Sequence, residues 1–233
     1  KAPQVPFILY LCSGDRRQGD VGSAMSDLGG PLVVHVDIKI GGRHHDMRKT
    51  DVRKRIVDAA AQRHCVGVLS SIPCCTWSAA RLHGPRPQPL RDIDNPIGIP
   101  DANGHLPKEV VDANEILETA VLAAWSVLRH DGCFIFENPV SRGIGSPFAI
   151  PGRERHAAMW SHPRLLKVAR AYRSLFVTFD QCCTGAETQK ATDLLASPSI
   201  FDAVVLEFGA LRCNHITCRG RSIPSSTDAC IEP

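Results

Sequence analysis

Chemistry-bearing residues stand at the ends of apolar runs in this chain. A thiol follows Val66–Ser70, in Ser71-Ile72-Pro73-Cys74-Cys75-Thr76-Trp77-Ser78. A Pro-Cys step there puts a nucleophile at the mouth of a cleft, the competing reading being a buried structural cysteine. A carboxylate follows Cys133–Phe136, in Glu137-Asn138-Pro139, and a charge beside apolar surroundings is costly without a task. The turn after Phe7–Leu11 holds Gly14, Gly19 and Gly22, which let backbone amides approach a ligand. Asp37 closes the next run, twenty-three residues after Gly14. It is placed as the acid that accepts hydrogen bonds from ribose hydroxyls in dinucleotide folds. Together these residues point to an adenosine-containing ligand beside a thiol and a carboxylate. Near the C-terminus Cys213, His215 and Cys218 fall within six residues. That is the spacing of part of a zinc knuckle, with a fourth ligand from Cys182, Cys183 or Cys230, and unligated side chains are the alternative.

The elements that must position these groups alternate. Strands are expected at Phe7–Leu11, Leu32–Val36, Val66–Ser70, Cys133–Phe136 and 175–179, from short apolar runs bounded by turn residues. Helices are expected at 20–28, ended by Gly29-Gly30, at 51–63 with Thr50 as N-cap, at 109–128, and over roughly 153–172. A polar segment follows to Ser197, then a last apolar pattern at 203–208. Residues 83–107 hold six prolines and read as a long loop. This alternation predicts an α/β fold with a mostly parallel sheet covered by helices on both faces. Ligands in such folds bind beyond the carboxyl ends of the strands, where the unusual residues stand. Residues 1–197 are expected to form the catalytic domain and 198–233 a small C-terminal element.

In the same order along the chain, the motifs resemble those of the DNA (cytosine-5-)methyltransferases. Leu9-Tyr10-Leu11-Cys12-Ser13-Gly14 is similar to the family's first motif, and Pro73-Cys74 with Ser78 resembles its Pro-Cys-Gln-x-x-Ser loop. Glu137-Asn138-Pro139 resembles Glu-Asn-Val, and 185–190 its Gln-bearing segment. Three departures stand out: Cys12 in place of Phe, Cys75 in place of Gln, and Ala191 and Asp193 in place of arginines.

The resemblance implies a Rossmann-like class I S-adenosylmethionine-dependent methyltransferase fold. Cys12, Ser13, Gly14, Asp37, Asp46 and Pro73 would then hold S-adenosylmethionine, Asp37 at the ribose and Asp46 at the adenine amino group. Cys74 would add to C6 of cytosine, Glu137 would hydrogen-bond N3 and the exocyclic amine, and Asn138 would help hold the loop. The base must leave the duplex for this chemistry. Ser78, Arg81, Arg86, Arg91, Gln189 and Lys190 would contact the nucleic acid, DNA in the family and RNA by the same chemistry. Two other readings stay open: an amino-methyltransferase acting on adenine N6 or cytosine N4, and a catalytically degenerate nucleic-acid-binding module.

Composition bounds these readings. At 233 residues, 43 % hydrophobic and 22 % charged, the chain suits a globular domain and neither a coiled coil nor a disordered protein. No run of eighteen apolar residues occurs, which excludes a membrane helix on sequence grounds. The absence of a signal-peptide pattern predicts an intracellular protein, nuclear or cytoplasmic. Ten cysteines in a chain with a sizeable core, two pairs of them adjacent, read as reduced thiols. The net charge of +3 is small, but its distribution is uneven. Seven Lys/Arg against one acid lie between Arg142 and Arg173, a polarity suited to phosphates or to a solvated face.

Overall fold

The structure, a computed structural model, describes residues 5–79, 89–184 and 190–213. Six strands form one mixed sheet: β1 (Phe7–Leu11), β2 (Leu32–Val36), β3 (Cys65–Ser71), β4 (Cys133–Pro139), β5 (Leu175–Asp180) and β6 (Ala191–Ala196). Their order is β2-β1-β3-β4-β6-β5. The first four are mutually parallel, and β6 runs antiparallel to both β4 and β5. Helices α1 (Val21–Asp27), α2 (Ile38–Gly41), α3 (Thr50–Ala60), α4 (Lys108–Leu128), α5 (Pro163–Ala171) and α6 (Pro198–Phe208) complete the fold.

Side-chain alternation along the strands divides the core in two. Leu9, Leu11, Val68, Phe134, Phe136 and Leu195 pack with Val52 and Ile56 of α3, Leu117, Ala120, Ala124 and Val127 of α4, and Leu165 and Val168 of α5. The preceding residue of β6, Leu194, joins Val177, Phe179, Ala196 and Val204 of α6 on the opposite face. Helices therefore cover both faces. Because α6 closes over β5 and β6, it belongs with the sheet, and the boundary expected at 197/198 falls inside one packed unit. Ser197 marks that joint. Its hydroxyl accepts the Phe134 N–H, and its own N–H donates to the Phe134 carbonyl, both at 3.1 Å.

The expected and observed elements differ in several places, among them the unexpected short α2 and an α6 that begins at Pro198 and not near 203. Residues 191–196, expected in a polar segment, form β6, so the sheet is mixed. The helical region expected over 153–172 shrinks to Pro163–Ala171 and a 3₁₀ turn at Met159–Ser161, because Pro163 fixes the first helical turn. Thr50 is the first residue of α3, and Lys49 is its N-cap without a side-chain bond. Among the described residues no helix is long and apolar enough to cross a membrane.

The α4–β4 turn is tight. Asp131 lies at φ 65°, and a Cβ on Gly132 would stand 2.3 Å from Val127 Cγ2 and about 3 Å from the Val127 and Val66 carbonyls. Gly132→Ala is expected to cost about 1–3 kcal/mol through overpacking. Urea unfolding followed by circular dichroism reads this as a lowered midpoint with an unchanged slope.

Candidate active site

The strand order reverses beside β1, because β2 lies on one side of it and β3 on the other. Turns leaving the carboxyl ends diverge at such a point and leave a crevice. A pocket of about 290 Å³ opens there, lined by Cys12 after β1, by Asp37, Ile38 and 45–48 after β2, by Pro73 after β3 and by Asp112 and Ile116 of α4.

Three carboxylates, Asp37, Asp46 and Asp112, stand in this largely apolar pocket. Asp37 Oδ2 accepts the Gly14 N–H at 2.9 Å, and Oδ1 accepts the Lys39 N–H at 2.8 Å, which caps α2. Each oxygen has a second lone pair, so the carboxylate keeps two acceptor positions, the number a vicinal diol needs. Asp46 is more fully engaged. Its Oδ1 accepts from Arg48 N and Nε, at 3.1 and 2.7 Å, and Oδ2 accepts from Arg48 Nη2 at 3.0 Å. This fork lowers the Asp46 pKa and leaves one acceptor position on Oδ2. Arg48 also bonds Asp112 at 3.1 Å, tying the wall to α4.

The turn after β1 is shaped for close approach. Cys12 sits at φ 55° and Gly14 at φ 70°, and nothing lies within 4 Å of a Cβ built on Gly14. The left-handed conformation of a non-glycine residue is strained, a feature typical of ligand sites. Burial, with the Asp37 charge adding to it, pushes the Cys12 thiol up to about 12. It is a neutral lining group, 3.8 Å from Met47 Sδ. Ser13 is half-buried in the same turn.

Cys74 lies three residues beyond Ser71, the last residue of β3, and Ser71 pairs in register with Glu137 on β4. The Cys74 carbonyl accepts from Trp77 N at 2.8 Å and Ser78 N at 2.7 Å, so the thiol heads a tight turn. Cys74 and Ser78 are half-buried, and Cys75 is exposed. Asn138 is buried and donates from Nδ2 to the Ile72 carbonyl at 2.7 Å, which ties the loop before Cys74 to β4. Glu137 projects from the opposite face of β4 by strand alternation, and its Oε1 accepts from Gln181 Nε2 at 3.1 Å. Gln181 N donates to the Lys190 carbonyl at 3.0 Å, which brings Lys190 beside this pair.

Arg91, expected on a DNA-facing loop, is 3 % exposed. Its guanidinium lies 4.1 Å from the Trp77 ring centroid and donates to Thr76 Oγ1 and to the carbonyls of Pro96, Ile97 and Val110. Burial draws its pKa down to about 10, so it stays charged at neutral pH. Its task in this structure is to pin the Cys74 turn to residues 96–97 and α4. His156 adds a second pin. It donates from Nε2 to the Trp77 carbonyl at 2.7 Å while Nδ1 accepts the Arg142 N–H at 3.1 Å. That pattern requires the neutral ring.

Arg81, Arg86 and Gln189 lie outside the described residues, as do His215, Cys218 and Cys230 of the expected zinc knuckle. The Cys213 N–H donates to Asp180 Oδ2 at 2.8 Å. Among the described residues no three His, Cys, Asp or Glu side chains gather as a metal site. Sequence reasoning missed Arg48, His156 and Gln181, and it gave Arg91 a contact with nucleic acid in place of its buried bracing role. An arginine on a Pro-rich loop reads as facing solvent or a phosphate, and nothing in the sequence marks it as buried. Compared with known proteins, the sequence matches no family model and has no significant match among curated proteins.

Arg91→Lys keeps the charge but loses the fork that serves several acceptors. It is expected to cost about 3 kcal/mol, at the lower end for a broken buried charge network, in chemical unfolding at pH 7.5. Acid acts on the same region. His162 is 4 % exposed, and burial, aided by Arg91 and Arg164, lowers its pKa to about 4. The unfolded chain takes up that proton near pH 6.5. It therefore binds more protons than the fold between pH 6.5 and about 4, and stability falls as pH drops through this window. His162→Gln should lose less stability than the parent, by up to roughly 3 kcal/mol, between pH 7.5 and 4.5 in urea titrations.

Proposed function

We propose that this chain is an S-adenosylmethionine-dependent methyltransferase of the Rossmann-like class I fold, which methylates C5 of cytosine in DNA through a covalent adduct at Cys74. One observation carries the reading. The carboxyl ends of four adjacent parallel strands bring a pocket with a two-acceptor carboxylate, a thiol-bearing turn and a carboxylate to one edge of the sheet. A generic crevice explains the pocket but not the Cys74 turn held by Asn138 and Arg91 beside it.

The residues fit the cofactor. Asp37 has the free acceptors for two ribose hydroxyls, and Ile38, Met47, Pro73 and Ile116 offer an apolar slot for a purine ring. Asp46 retains one acceptor for an exocyclic amine, and Asp37, the pocket acid that Arg48 does not neutralise, suits a cationic sulfonium. When bound, S-adenosylmethionine supplies an electrophilic methyl group.

The protein's own work is to make cytosine C5 nucleophilic. Cys74 thiolate forms a carbon–sulfur bond at C6, and the displaced ring electrons place enamine character at C5. Glu137, oriented by Gln181, hydrogen-bonds N3 and the exocyclic amine and draws charge from the ring. Once C5 carries the methyl, it loses its proton to a base, and the electrons left behind expel Cys74 from C6. The thiolate needs a nearby positive charge. Arg91 supplies one, buried under the turn and electrostatically coupled to the neighbouring Cys75.

Radiolabelled methyl transfer to DNA and RNA, followed by nucleoside analysis, tests the reading. The expected product is 5-methylcytosine in DNA. Cys74→Ser should lower transfer by at least about 10³-fold, as removal of a nucleophile does, and abolish covalent trapping on a 5-fluorocytosine duplex. An amino-methyltransferase would survive Cys74→Ser and yield N-methylated bases. DNA binding without cofactor binding or label transfer would leave the degenerate module as the answer. Asp37→Ala should remove the thermal shift given by S-adenosylmethionine, while Cys74→Ser keeps it.

A further inference from the structure

A second pocket, of about 380 Å³, opens beyond β4 and is not used by the reaction proposed above. Its one carboxylate is Asp193 on β6, cross-strand neighbour of Thr178 on β5. Thr178 Oγ1 donates to Asp193 Oδ1 at 2.6 Å, so Oδ2 and the second lone pair of Oδ1 remain available to a ligand. Burial holds the Asp193 carboxyl above its ordinary range, against the opposing effects of Thr178 and the Arg212 charge. Donors arriving from a ligand would relieve that carboxylate.

The walls are aromatic. Trp160 and Phe176 meet edge to face with centroids 5.2 Å apart, and Phe176 is 46 % exposed, leaving ring surface open. Phe148 lines the pocket from a loop that is itself braced. The Ser146 hydroxyl donates to the Ser141 carbonyl at 2.6 Å and accepts the Phe148 N–H at 3.0 Å. Positive charge adjoins these walls. The Arg142 guanidinium stands 6.0 Å from the Phe148 ring, and Arg212 donates to the Thr178 carbonyl.

These features select a ligand class. Aromatic walls take a flat ring by stacking. A carboxylate with free lone pairs takes an edge that carries N–H donors, and the flanking guanidiniums favour an anionic attachment and oppose a cationic one. Among the common bases, guanine presents two adjacent donors, N1–H and the 2-amino group. Adenine and cytosine set a ring acceptor next to their amino group, which would face the carboxylate lone pairs. We propose that this pocket binds the guanine base of a nucleotide. The proposal deepens the function proposed above by giving the nucleic acid a second recognised base, but the pocket can be tested without methyl transfer.

Isothermal titration with guanosine, inosine and adenosine 5′-monophosphates tests it. Guanosine monophosphate should bind at least tenfold tighter than adenosine monophosphate, with inosine, which lacks the 2-amino group, between them. Asp193→Asn, close in shape, should erase this order, and Phe176→Ala should weaken all three while the melting temperature confirms folding. A parallel arm uses single-stranded hexanucleotides of dA carrying one central dG or dI. Tighter binding of the dG strand than of the monophosphate assigns the pocket to a polymer, and the reverse assigns it to a free nucleotide. Equal affinity for the three nucleotides, an unchanged order in Asp193→Asn, or Asp193-dependent preference for an arginine-rich peptide overturns the proposal. Guanine binding without methyl transfer removes the proposed function and keeps this pocket. Methyl transfer to cytosine without guanine preference does the opposite.

Discussion

With β2 and β3 on opposite sides of β1, the chain must leave the sheet in two directions from neighbouring strand ends, and no side chain of β1 can fill the space between them. The crevice is thus a product of connectivity before it is a product of sequence. What the sequence adds is the choice of residues at its rim. Gly14 supplies an amide that Asp37 holds in place, and Asp37 at the same time starts α2, so one carboxylate fixes two turns and still has acceptors to spare.

The Cys74 turn is held from three directions. Asn138 reaches it from β4, His156 from the segment after β4, and Arg91 from below. Burying a guanidinium is costly unless every donor is met by an acceptor, and breaking such a network costs more than building it gains. That asymmetry makes Arg91 a device for fixing one geometry of the turn. It also leaves a fixed charge that interacts with Cys75, so support and electrostatics come from one side chain.

Much of the sheet was legible in the residues. β1 and β2 match their expected bounds because each is a short apolar run set off by Pro6 at one end of the first and by Gly30-Pro31 before the second. β6 was not legible. Ala191–Ala196 carries Thr192 and Asp193 in its middle, and it becomes a strand because β4 and β5 pair with it from both sides, a tertiary effect that overrides local pattern. At the site, strand ends pointed to Asp37, Cys74 and Glu137. The partners Arg48 and Gln181, and the buried role of Arg91, could not be read, since charged and amide side chains look solvated until packing assigns them. The same holds for Asp193, whose place in the proposal rests on a pocket formed by four separate segments.

The cysteines acquire a ranking from their surroundings. Cys12 and Cys65, pushed up to about 12 and 11 by burial, and Cys133, raised by the same cause, are protonated throughout the physiological range. A thiol in that state is nearly inert to electrophiles, because the thiolate is the reacting species. An alkylating or oxidising agent that reaches the crevice at the strand ends therefore meets in Cys12 a sulfur that is slow to react. The lining of that pocket is thus chemically quiet at its one cysteine, which serves as a wall and not as a reagent.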